Sequence, residues 1–73
     1  MYNMVAHLVA SDIGTRIEKG RATLTELVSS VDSFSDFALP RSRKRRIVRQ
    51  IVTALVKAGT MRKVAGAYEL ARA

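Results

Sequence analysis

Apolar residues recur every four positions through the first stretch of the chain, where Val5, Val9, Ile13 and Ile17 line one face, with Leu8 beside them. That spacing predicts a helix over about 4–19. Asn3 is placed to cap its start and Gly20 to stop it in a left-handed conformation. Gly14 inside the stretch weakens the helix by about 1 kcal/mol relative to Ala and marks a point where it can bend. A second, short helix is expected over about 23–31. It opens on Thr23-Leu24-Thr25-Glu26, a capping box in which hydroxyl and carboxylate each satisfy an orphan backbone N–H. Leu24, Leu27, Val28 and Val31 form its apolar stripe. Ser33, Ser35, Asp36 and Pro40 then break the pattern, leaving a connection from Asp32 to Pro40 that carries Phe34 and Phe37.

The third helix is expected over about 42–58. Ile47, Ile51 and Leu55 repeat along it, flanked by Val48, Val52 and Val56, while Arg46, Arg49, Gln50, Thr53 and Lys57 fall on the other side. Pro40 and Ser42 suit positions just outside its start, and Gly59 ends it. The tail changes period. Thr60 to Val64, a small turn at Ala65-Gly66-Ala67 and then Tyr68-Glu69-Leu70 read as a hairpin over about 60–71. The expected fold class is mainly α with a small β-hairpin, in one domain spanning 1–73 with no internal repeat.

Length and composition narrow the functions open to such a fold. The chain has 73 residues, 48% of them hydrophobic. A domain that small buries only about 60% of the surface its unfolded chain exposes, enough for one core but not for a core and a deep substrate cleft. With no cysteine, a disulfide scaffold, a cysteine zinc site and a thiol nucleophile are excluded, and the single His7 cannot build a metal site alone. Asp12 and Glu18 do not share a helical face, and the serines lack any motif partner, so no catalytic constellation is visible. The expectation is a non-enzyme without cofactor, metal or small-molecule substrate. No apolar run approaches the ~18 residues of a membrane span. No cation precedes Arg16, so the N-terminus does not read as a signal peptide. With the Met1 start, these features predict a complete, soluble, cytoplasmic protein that makes no membrane contact.

Charge adds the first positive clue. The net charge is +7, yet residues 1–38 carry −2 and residues 39–73 carry +9. Six of the thirteen basic residues fall between positions 41 and 49: Arg41, Arg43, Lys44, Arg45, Arg46 and Arg49. At a helix N-terminus such a run repels itself and opposes the helix dipole, so stability does not account for it. It points to phosphates or to an acidic protein surface in the partner, the other reading being a plain solvated helix face. Duplex DNA, RNA bound by an arginine-rich segment and a nuclear localisation signal all suit the run. Arg62 and Lys63 on the hairpin either extend this surface or protect an exposed strand edge. Gln50 and Thr53 would read base edges if the third helix entered a major groove; otherwise they are plain helix surface. Phe34 and Phe37 either fold back over the core or form a binding loop. Together with Tyr2 they are the candidate protein-interface residues.

Helix, capped short helix, basic helix, glycine and hairpin follow the order of a winged helix-turn-helix. Leu24-Thr25-Glu26-Leu27-Val28 resembles the second helix of that family, and Ile47 to Met61 resembles its recognition helix running into the wing. Tyr68-Glu69-Leu70 resembles the returning strand. The resemblance implies a winged-helix-like three-helix core whose third helix enters the major groove while the wing touches adjacent backbone. The connection from Asp32 to Pro40 is longer than the three or four residues usual in the family, and no spare helix is left for a dimer seam, so a monomer is expected. The length, the Met4-Val5-Ala6-His7-Leu8-Val9 opening and the basic winged-helix layout also resemble the small regulators that bacteriophages, Xanthomonas phages among them, make against host RNA polymerase. That resemblance implies the bacterial RNA polymerase β′ and β surfaces near the RNA exit as partner, with inhibition of initiation and suppression of termination as activities. Operator binding by helix 42–58 and the hairpin is the other expectation.

Overall fold

A computed structural model describes residues 4–31 and 39–71. Helix α1 spans Met4–Glu18, α2 Leu24–Ser30 and α3 Arg41–Lys57; strands β1, Met61–Val64, and β2, Ala67–Leu70, pair antiparallel. The protein is mainly helical with a small hairpin, in a winged-helix-like layout.

Local chemistry sets the boundaries. Thr23 caps α2 through a complete capping box: the Glu26 amide donates to Thr23 Oγ1 at 3.2 Å and the Thr23 amide to Glu26 Oε1 at 2.9 Å. The third helix begins one residue earlier than its apolar pattern implies. Pro40 is its N-cap, with Arg41 already helical and Ser42 inside the first turn. Its C-terminus closes on Gly59 at φ 85°, where the Gly59 amide bonds Val56 O and the Thr60 amide bonds Leu55 O, both at 3.0 Å. This double closure needs a left-handed residue, which glycine adopts without a Cβ clash.

The core lies where the three helices meet the start of the hairpin. Val9, Ile13 and Ile17 of α1, Leu27 of α2, Val48 and Val52 of α3, and Met61 are all at most 2% exposed. Ile47, Ile51 and Leu55 pack against them only half-buried, so the inward line of α3 runs along Val48 and Val52 rather than along the isoleucines. Leu8 points outward at 37% exposure.

One pairing has no trace in the hydrophobic pattern. Ala22, between α1 and α2, forms an isolated bridge to Tyr68: the Ala22 amide donates to Tyr68 O at 3.0 Å and the Tyr68 amide to Ala22 O at 2.7 Å. β2 is therefore bonded on both sides, which ties the hairpin to the α1–α2 junction and fixes where α3 can lie against it.

Candidate functional site

The basic run does not form one surface. At 3.6 residues per turn, Arg41 and Lys44 stand two turns and one turn before Val48, and Arg45 follows on the same side. These three line a groove of about 470 Å³ against α2, which contributes Thr25, Val28, Ser29 and, at its end, Val31. Arg45 is anchored there, its Nη1 donating to Thr25 Oγ1 at 3.1 Å. Arg43, Arg46, Arg49, Gln50, Thr53 and Lys57 are exposed on the outer side of α3. From Arg43 to Lys57 this outer face extends about 21 Å along the axis at ~1.5 Å per residue. A shallow concavity of about 380 Å³ lined by Pro40, Ser42, Arg43 and Arg46 lies at its N-terminal end.

The ion pairs among the described residues are Arg16–Glu26 at 3.9 Å, Arg21–Glu69 at 3.1 Å and Arg62–Glu69 at 2.8 Å. None of these three engages Arg41, Arg43, Arg45, Arg46, Arg49 or Lys57 of α3, and the first turn of that helix holds no acidic residue. Arginine and lysine are good helix formers, so the segment stays helical despite the dipole. Glu26 is held below the usual carboxylate range chiefly by the Thr23 backbone hydrogen bond. Glu69 is held below it chiefly by the Arg62 hydrogen bond, with Arg21 adding to the effect.

The hairpin adds less positive charge than its composition implies. Arg62 sits opposite Glu69 in the register and bonds Oε2 through both Nε, at 3.1 Å, and Nη2, at 2.8 Å. Lys63, opposite Tyr68, holds its Nζ 5.7 Å from that ring's centroid. The turn between the strands is only Ala65-Gly66, so no long loop projects beyond them. The sequence reading overlooked Glu69 as the partner of Arg62. A two-residue turn at Ala65-Gly66 would have placed them opposite each other by counting outward.

Tyr2, Phe34 and Phe37 lie outside the described residues. His7 is exposed on α1. Among the described residues no helix is long and apolar enough to cross a membrane, and no three acidic or histidine side chains are grouped to hold a metal ion. The arrangement offers a row of guanidinium and ammonium donors suited to phosphate or carboxylate oxygens, with an amide and a hydroxyl set among them. No family model, no curated protein and no solved structure matches this chain.

Proposed function

We propose that this chain is a small transcription regulator that docks on bacterial RNA polymerase and turns the outer face of α3 toward nucleic acid. One observation carries the reading: Arg43, Arg46, Arg49 and Lys57 are exposed along one helix, and no ion pair among the described residues neutralises them. A face of that kind, costly at a helix start, is suited to a polyanion.

Docking on a larger machine is favoured over autonomous DNA reading by the hairpin. Its tip is two residues long and Arg62 is engaged by Glu69, so the nucleic-acid contact falls largely on one helix. Single modules bury only about 600–1,000 Å² on DNA and gain specificity from a partner. The resemblance to phage regulators supplies the partner, the β′ and β surfaces of the polymerase in the host cytoplasm, with inhibition of initiation or suppression of termination as the outcome. The reading assigns no catalysis. A second reading, a repressor or activator recognising an operator, draws on Gln50 and Thr53, which stand exposed among the arginines and carry groups able to read base edges.

Co-elution of the nuclease-treated protein with bacterial RNA polymerase at about 0.3 M salt separates the two, because pure phosphate contacts have largely weakened there. A stable complex supports polymerase docking. Its absence, together with sequence-selective duplex binding at low salt, overturns docking in favour of the operator reading.

A further inference from the structure

Three donor side chains of the outer face converge on one concavity. Ser42 and Arg46 stand four residues apart and Arg43 and Arg46 three, spacings that put Cβ atoms about 5–6 Å from each other on a helix. With Pro40 they line the shallow hollow of about 380 Å³. All four residues are exposed. Among the described residues the Ser42 hydroxyl and the two guanidiniums have no hydrogen-bond or ion-pair partner. No acceptor of the chain competes for them. The first turn of α3 holds no acidic residue, and the Pro40 carbonyl already accepts the Arg43 and Lys44 amides, both at 3.1 Å. Arg41 and Arg45 line the α2 side instead. The kinds of donor matter as much as their charge. A guanidinium is a planar fork that grips two oxygens at once, and a hydroxyl adds a single donor. Two forks and a hydroxyl suit a tetrahedral group, whose oxygens do not share one plane; a planar carboxylate fills only one fork. The hollow also opens onto Gln50, Thr53 and Lys57, which follow Arg46 at steps of four, three and four residues along the same line. Such an arrangement fits a phosphate carried by a longer polymer.

We infer that Ser42, Arg43 and Arg46 form a seat for a single phosphate group, which fixes the outer face of α3 in register on a nucleic-acid backbone. The site rests on the reading of that face as a polyanion surface and deepens it. Arg49 and Lys57 add attraction along the helix, whereas this cluster supplies a fixed point of contact.

The test uses the whole isotope-labelled chain and inorganic phosphate, exchanged for chloride at constant ionic strength and followed by chemical shifts. Saturating shifts are expected at the amides of Ser42, Arg43 and Arg46 and at the Nε–H groups of the two arginines, with Arg49 and Lys57 unmoved. Acetate over the same range should bind about tenfold more weakly. The variant R43K/R46K keeps every charge but loses both forks, and S42A removes the hydroxyl. Each, with helicity checked by circular dichroism, should weaken phosphate about tenfold, the loss expected for a hydrogen bond to a charged group. A short random duplex should displace phosphate competitively. Saturation by phosphate that the duplex leaves untouched would overturn the link to nucleic acid and assign the seat to a free phosphate compound. Unsaturable shifts spread over Arg49, Lys57 and Arg62 would overturn the seat itself, as would undiminished phosphate affinity in R43K/R46K. Duplex binding that persists beside either of those two results would leave the polyanion face standing and remove only the seat.

Discussion

Arg62 and Glu69 face each other across the hairpin, with Arg62 Nη2 2.8 Å from Glu69 Oε2. Arg21, from the α1–α2 junction, reaches the other carboxylate oxygen at 3.1 Å. Glu69 is the only acidic residue after position 38, and it is spent on holding the hairpin's own cation. Replacing it by E69Q should release Arg62 toward an external anion. The plot of log affinity for random duplex against log salt should then steepen by about 0.9 for each phosphate newly contacted. An unchanged slope, measured by anisotropy over a salt series, would mean that Arg62 does not face the nucleic acid.

Acid should weaken the fold through two carboxylates, the exposed Glu26 and the half-buried Glu69. Glu26 and Glu69 are both held below the ordinary carboxylate range, by the Thr23 amide and by Arg62 respectively. A depressed folded-state pKa contributes stability that is complete above the unfolded value, about 4.3 for Glu. It is lost as pH falls through the folded value. The melting temperature should therefore be insensitive to these groups at neutral pH and decline below about pH 4.3. In E26Q/E69Q that decline should be shallower; an identical acid limb in both proteins would remove the two pairs as its cause.

On the outer face of α3, R46E/R49E should abolish duplex binding at physiological salt while leaving the far-ultraviolet circular dichroism unchanged. Both side chains are exposed and contribute nothing to the Val48–Val52 seam. Each lost phosphate contact lowers the salt slope by about 0.9 on duplex DNA. Binding retained with an unaltered slope would reduce this face to a solvated helix surface.

Ala65 adopts φ 52° beside Gly66 at φ 79°, so both central residues of the turn are left-handed. Hairpin turns of this kind favour Asn-Gly, because Asn tolerates that region better than Ala. A65N should stabilise the protein by about 0.5–1 kcal/mol. That corresponds to a rise in melting temperature of roughly 2–8 °C for a domain of this size. Duplex binding should not change, and a lower melting temperature in differential scanning calorimetry would contradict the account of the turn.

Sequence alone determined the local elements, because their signals are short-range. Four-residue apolar spacing, a Thr–Glu capping box and glycine at the end of α3 each depend on neighbours within a turn, and each appears in the folded chain at Val9–Ile13–Ile17, Thr23–Glu26 and Gly59. The clustering of cations between Arg41 and Arg49 was equally plain. Tertiary structure alone decided which way those cations point. Only the seating of Val48 and Val52 in the core turns Arg41, Lys44 and Arg45 toward α2 and leaves Arg43, Arg46 and Arg49 outside. Small shifts in the apolar pattern made that rotation ambiguous, since Ile47 and Ile51 offered a rival stripe. The Ala22–Tyr68 bridge and the Arg21–Glu69 pair span 46 and 48 residues of chain. Contacts that distant follow from how the packed helices bring backbone and charge together, and no local pattern encodes them.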